Sequence, residues 1–247
     1  MVALRSPKEI ELIRFAGQIL KRVILKLEAF VAPNKTTKEI DDFAALLISR
    51  ENATAAFKGY RGFPANICVS VNEEVVHGIP SEKKIKLGDI VSLDLGIGYK
   101  GYFADASITL PVGRVQPSYR KLILVTQESL WEGIKQARPG KQLGDISYSI
   151  QRYVENHGFS VVRQFVGHGI GCSLQEEPEI PNFGRPHEGI DLKPGMVLAI
   201  EPMVNMGSWE VEVLDNGWTV VTKDRSPSAH FEHTVLVTTN GPEVLTI

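Results

Sequence analysis

The sequence predicts a mixed α/β fold made of two successive rounds of helix, helix and strands. Three observations carry this: two helix-start signals close together near the N-terminus, a second pair of helical stretches after residue 117, and apolar strand-like runs following each pair. No low-complexity run or linker divides the 247 residues, so we expect a single domain, 1–247, with two related halves.

Ser6-Pro7-Lys8-Glu9 reads as a capping box: a side-chain oxygen at the cap, proline at the first helical position, and a glutamate able to reach back to the cap amide. Ile10, Ile13, Gly17, Leu20, Ile24 and Leu27 then recur at helical spacing until Pro33 and Asn34, the latter suited to a turn at positive φ. Thr36-Thr37-Lys38-Glu39 repeats the capping signal, and Ile40, Phe43, Ala44 and Leu47 mark a second amphipathic helix. Residues 56–80 switch to a loop and strand segment rich in rings (Phe57, Tyr60, Phe63), which serves either as core under a loop or as the wall of an apolar pocket. Residues 117–137 and 145–156 predict the third and fourth helices, with His157 in a last turn where the helix dipole favours an imidazolium. In Gly167-His168-Gly169-Ile170-Gly171 the three glycines predict a tight turn around a histidine, which functional and purely structural readings explain equally well. A buried strand over 196–200 ends on Glu201, Asp215-Asn216-Gly217 predicts a turn, and the last strand begins within AHFEHTVLVT.

Composition narrows the function classes. The chain is 43% apolar with a formal net charge of −2, and it contains no basic run of five or more, which disfavours nucleic acid or a membrane surface as the main partner. The first residues lack the apolar core of a signal peptide and no run is long enough to span a bilayer, so we expect a cytoplasmic protein. Cys68 and Cys172 make no disulfide framework, and both should stay thiols.

The chemistry concentrates in SLDLGIGYKGYFADAS, residues 92–107. If residues 90–95 and 102–110 form a hairpin folded near Tyr99 and Lys100, Asp94 and Asp105 lie roughly opposite one another on one face. Like charges so placed repel, and carboxylates inside apolar strands must be neutralised or bound to a cation. To this pair the sequence adds Glu201 and Glu232, acidic residues in or at the ends of apolar strands, and the glycine-flanked His168. Four carboxylates and one neutral imidazole sum to −4, which two divalent cations cancel and one does not. Oxygen-rich ligation with one nitrogen suits Mn, Fe or Co, with Zn also acceptable and an all-oxygen calcium site disfavoured.

VNEEVVHGIP, SLDLGIGYKGYFADAS, GHGIG followed by EEPEIPNFG, LAIEPM and FEHTVLVT resemble the successive signatures of type I methionine aminopeptidases, in order and along essentially the whole chain. The resemblance implies the pita-bread fold, a pseudo-twofold antiparallel sheet flanked by helices. Matched by position, Asp94 would chelate one metal, Asp105 and Glu232 would bridge two, and His168 and Glu201 would complete the second, with a bridging hydroxide as nucleophile. It further implies that Glu201 acts as general base and acid, that His77 hydrogen-bonds the scissile amide, and that the methionine side chain lies against Phe57, Tyr60, Phe63, Cys68, Leu174 and Trp218. His233 would orient a ligand, His230 has no assigned role, and His187 reads as an exposed loop residue.

One departure stands out. The family pattern places a second histidine where this chain has Gln175, and Cys172 replaces a more usual polar or basic residue. The expected activity is removal of the initiator methionine from nascent chains, with the ribosome as a further candidate partner, a monomeric state, and turnover reduced at Gln175. A metal-containing binding module is the rival from another class. An Xaa-Pro aminopeptidase is disfavoured, because no extra N-terminal domain stands ahead of these motifs to recognise such substrates.

Overall fold

The computed structural model describes residues 2–247. Both N-terminal capping boxes form. Helix α1, Pro7–Phe30, starts where Glu9 accepts from the Ser6 amide at 2.8 Å. Helix α2, Thr37–Arg50, starts where Thr36 and Glu39 exchange hydrogen bonds of 3.0 and 2.7 Å. Asn34 between them sits at φ 72°, as its turn requires. Helix α3 spans Pro117–Ile134, and α4 spans Leu143–Asn156. Helix α4 begins two residues before the predicted start because Asp145 is not the cap; its carboxylate reaches back to the amide of Gln142 at 2.9 Å.

Every pairing in the central nine-stranded sheet is antiparallel. Its main path runs Thr54–Ala55, Ile90–Tyr99, Tyr102–Pro111, Glu232–Thr238, Val197–Ile200, Gly167–Gly169 and Glu176–Ile180, with Cys68–Val71 also paired to Ile90–Tyr99. Helices α1 and α2 cluster with Leu93, Leu95, Ile97, Ala104 and Ala106, the positions that alternate with Asp94, Gly96 and Asp105. Helices α3 and α4 cluster with Leu198, Ile200, Val235 and Val237, which alternate with Glu201, Glu232 and Thr234. The two-residue period of a strand thus buries one set of side chains under helices and turns the polar set to the other face.

Three local expectations are corrected. Asp94 and Asp105 are not opposite one another: Asp94 pairs with Ser107 and Asp105 with Gly96, so the two share a face on a diagonal. The last strand breaks at Phe231, with Ser228–His230 pairing to Met203–Asn205 in a separate sheet before Glu232 enters the central one. The glycines around His168 make no turn, since Gly167–Gly169 is a short strand and none of the three has a positive φ. They are needed for close approach: a Cβ at Gly167 would collide with the carbonyl oxygen of Ala199, and one at Gly169 with that of Glu177.

That difference is measurable. Gly169→Ala, which meets fixed backbone, should destabilise the protein by about 2–3 kcal/mol in urea unfolding, in the range of an overpacked core position. Gly171→Ala meets only the movable end of Arg5 and should cost about 1 kcal/mol. Equal costs at the two positions would contradict the close-approach account.

Candidate metal centre

Sheet register builds the site. Asp94 and Glu232 both pair with Ser107, and His233 pairs with Ile200, so the next register position sets Glu201 beside Glu232 on the same face. Asp105 lies two residues before Ser107, and His168 pairs with Ala199, two residues before Glu201. Five neighbouring strands therefore each deliver one of the five predicted residues to one face. The backbone of Asp105 is clamped there by Thr234, whose hydroxyl accepts from its N–H at 2.9 Å and donates to its carbonyl at 2.8 Å. Sequence reading passed over Thr234, and only the period-two offset from Glu232 could have flagged it.

The electrostatics of this face are those of a site waiting for positive charge. Burial pushes the Asp105 carboxyl up to about 7. Burial first, and then neighbouring carboxylates, push Asp94, Glu201 and Glu232 well above the ordinary range. Burial lowers His168, whose Nδ1 lies 2.9 Å from the carbonyl of Gly169; a carbonyl only accepts, so Nδ1 carries the proton and Nε2 keeps its lone pair. Buried oxygens of Asp94, Asp105 and Glu232 have no hydrogen-bond partner. Ligand atoms of Asp105, His168 and Glu232 lie within 4.8 Å of one another. Unpartnered carboxylate oxygens converging with an imidazole lone pair are what a divalent cation takes, so the residues present fit a metal.

All thirteen residues predicted for the site line one cavity of about 110 Å³. The five polar residues form one wall, and Phe57, Tyr60, Phe63, Cys68, Leu174 and Trp218 form the rest with His77 and Gln175. Gly96 opens the floor, since a Cβ there would stand 3.0 Å from Phe57 and 3.1 Å from Leu174. Phe63 and Trp218 meet edge to face at 5.2 Å. His77, at φ 58°, packs on Trp218 and Phe165, and burial lowers it to about 4. The Tyr60 hydroxyl donates to Gln175 Oε1 at 3.3 Å, which leaves the amide NH₂ free.

Other sequence readings change. His233 orients nothing on this face: strand alternation turns it away, with its ring 5.6 Å from that of Trp131 and Nδ1 2.9 Å from Thr246 Oγ1. His230 instead points at Glu201, Nε2 to Oε2 3.5 Å, and is buried with both ring nitrogens unpartnered. Arg61, unremarked in sequence, lines the cavity with its guanidinium 5.3 Å from the Tyr60 ring centre. Cys172 lies outside the cavity, exposed, 3.2 Å from Arg5 Nη1. His187 is exposed, as expected, beside Asp145.

A family model described as metallopeptidase family M24 matches residues 11–239. A methionine aminopeptidase of Clostridium perfringens is 52% identical over 247 residues, covering 100% of this chain and 99% of its own length. Methionine aminopeptidase 1 of Bacillus subtilis is 49% identical, with 100% and 99% covered. The crystal structure of methionine aminopeptidase from Thermotoga maritima superposes with a TM-score of 0.98 at 46% identity, covering 100% of this chain and 99% of that one. The curled antiparallel sheet with its flanking helices is the pita-bread fold.

The raised carboxyls give the metal-free protein a defined pH response. Asp105 has an ordinary value of 3.8 and titrates at about 7 when folded, so the folded state holds a proton that the unfolded chain has released. Its contribution to stability is fully present below the ordinary value and lost as pH rises through about 7. In chelator, the melting temperature of the wild type should therefore fall more between about pH 5 and pH 8 than that of Asp105→Asn. Parallel curves for the two proteins would contradict it.

Proposed function

The chain belongs to metallopeptidase family M24, and from that premise we propose that it is a methionine aminopeptidase, removing the N-terminal methionine from newly made polypeptides and peptides. The observation that carries the reading is the meeting, in one cavity, of a carboxylate and imidazole wall with a ring-lined slot. The first provides for metal-assisted hydrolysis, and the second takes one long apolar side chain.

Asp94 would hold one divalent cation, His168 with Glu201 a second, and Asp105 and Glu232 would serve both. Mn, Fe or Co fits the oxygen-rich donor set best, with Zn acceptable. When bound, such cations polarise the scissile carbonyl and bring the pKa of water toward neutrality. The rest falls to the chain's own groups. Phe57, Tyr60, Phe63, Cys68, Leu174 and Trp218 hold the methionine side chain and keep water from it. His77, held neutral by burial, offers one N–H to the scissile amide. The free NH₂ of Gln175 donates to the amide oxygen as charge develops there. Glu201, whose carboxyl is raised by burial, accepts a proton from water and returns it to the leaving nitrogen.

No helix among the described residues is long and apolar enough to cross a membrane. A single domain acting as a monomer in the cytoplasm, on chains emerging from the ribosome, is the setting that suits this activity. The rival binding-module reading has no support from full-length relatives that are themselves methionine aminopeptidases.

The reading is tested by incubating the metal-reconstituted protein with a Met-Ala-Ser peptide and assaying free methionine with and without chelator. Release that chelator abolishes is expected, and no release at any metal loading would refute the function. Asp105→Asn and Glu232→Gln should each stay folded, lose activity, and bind at most one tight metal equivalent; two equivalents bound as in the wild type would remove the bridging assignment.

Gln175 gives a separate test. Loss of an entire oxyanion donor costs about 10²- to 10³-fold in turnover, whereas glutamine keeps a neutral donor and lacks only the proton chemistry of imidazole. Gln175→His should raise kcat by roughly tenfold or more with KM little changed and metal stoichiometry unaltered. An unchanged or lower kcat would show a site organised around the Tyr60–Gln175 pair.

A further inference from the structure

His230 is the one histidine of the site region that the proposed chemistry leaves without a task. It ends the strand Ser228–His230, and its backbone is fixed on both sides by Thr109, whose hydroxyl accepts from the His230 N–H at 2.8 Å and donates to the His230 carbonyl at 2.8 Å. The ring is therefore delivered to a set place. Its side chain is 1% exposed, Nε2 stands 3.5 Å from Glu201 Oε2, and neither ring nitrogen has a hydrogen-bond partner elsewhere. The other oxygen of the same carboxylate, Oε1, stands 3.6 Å from Nε2 of His168. Glu201 is thus held between two imidazoles, one at each oxygen.

The two rings cannot play the same part. His168 has its Nδ1 against the Gly169 carbonyl, so its proton is on Nδ1 and its Nε2 lone pair faces Glu201 and the ligand space. His230 has no such acceptor at Nδ1. With its proton on Nδ1, a buried N–H would go unsatisfied while a lone pair faced a carboxylate oxygen, two penalties at once. With its proton on Nε2, the N–H faces the oxygen and only the Nδ1 lone pair is left over. At 3.5 Å the pair stands at the outer limit of hydrogen-bond distance, with Glu201 Oε2 the acceptor nearest this N–H.

The geometry points to His230 as a positioning residue: its Nε2–H donates to Glu201 Oε2 and turns Oε1 toward His168 and the metal space. This rests on the reading of Glu201 as a ligand and proton carrier. A carboxylate with one oxygen tied to a fixed donor is limited to presenting the other, which sets both its angle at the metal and its reach to the substrate nitrogen. The neighbouring FEHT motif drew attention to His233 in the sequence, but strand parity gives this place to His230.

The tautomer can be read directly in the wild-type protein. Long-range ¹H–¹⁵N spectra of the Zn²⁺-loaded, histidine-labelled chain, in which the cation keeps Glu201 ionised, should show His230 protonated at Nε2; protonation at Nδ1 would overturn the proposal. Two variants test the consequence. His230→Leu removes the donor, and His230→Gln restores an N–H at similar reach. Titration with Mn²⁺ should show one of two equivalents weakened about ten- to a hundredfold in His230→Leu, and kcat on a Met-Ala-Ser peptide falling more than KM rises. His230→Gln should recover most of both. Wild-type affinity and kcat in His230→Leu, or a His230→Gln variant as impaired as His230→Leu, would overturn the positioning role. If His230→Leu fails to fold, the tautomer and the glutamine variant decide the matter. A wild-type protein that binds Mn²⁺ only once would instead count against the ligand assignment of Glu201, while the spectrum still reads the tautomer.

Discussion

The structure depends on a repulsion that only bound protons or cations relieve. Four carboxylates are held on one face of a buried sheet by backbone pairing, and pairing fixes them regardless of what their charges prefer. Because side chains alternate with a period of two, slipping any one of these strands by a residue would turn its carboxylate toward the helix-covered side and a neighbour such as Leu93, Ala106 or Ile200 into the cavity. Register is therefore enforced from below by the apolar face. The hydrophobic effect positions the charged groups without touching them, and their unpartnered oxygens converge because Leu93, Leu95, Ile200 and Val235 must go the other way.

The same logic extends to the pocket. The ring-bearing segment after α2 has little regular structure, yet it has to hold Phe57, Tyr60 and Phe63 against the sheet. It is tied down by one buried carboxylate: Asp41 accepts from the Asn66 N–H at 2.8 Å, the Asn66 side chain at 3.0 Å and the Ile67 N–H at 3.1 Å. Those bonds lead straight into Cys68, whose strand pairs it with Asp94. Helix α2 therefore fixes the distance between the apolar slot and the acidic wall, and Gly96, opposite Asp105, leaves the slot open between them.

Much of this was legible in the sequence. Capping boxes at Ser6 and Thr36 announce themselves within four residues, and the hairpin carrying Asp94 and Asp105 is contiguous, so its shared face follows from counting. What escaped reading depends on contacts between distant segments. The glycines at His168 looked like turn residues because a sequence does not show which carbonyl lies beneath them; only the strand carrying Ala199 and the segment at Glu177 reveal that the missing Cβ is the point. His233 looked like the partner of Glu232 because it is adjacent, and adjacency in a strand means opposite faces. His230 escaped because the chain changes sheets at Phe231, a break that no local signal marks in a continuous run of strand-forming residues.

The histidines show how the site divides its labour. Burial lowers His77 to about 4 and His230 to about 3, and it lowers His168 as well. At neutral pH these rings are uncharged donors or lone pairs, and Gln175 is a neutral donor by chemistry. No side chain in the acidic wall supplies positive charge, so four ionised carboxylates call for bound cations. Nor can a neutral, buried imidazole with so low an affinity for protons serve as the base. The proton chemistry proposed for Glu201 fits this arrangement, since its carboxyl, raised by burial, sits at the end of its strand and faces both the imidazole of His168 and the open cavity. Burial thus acts on both halves of the proposed chemistry, lowering the histidines and raising the carboxyl.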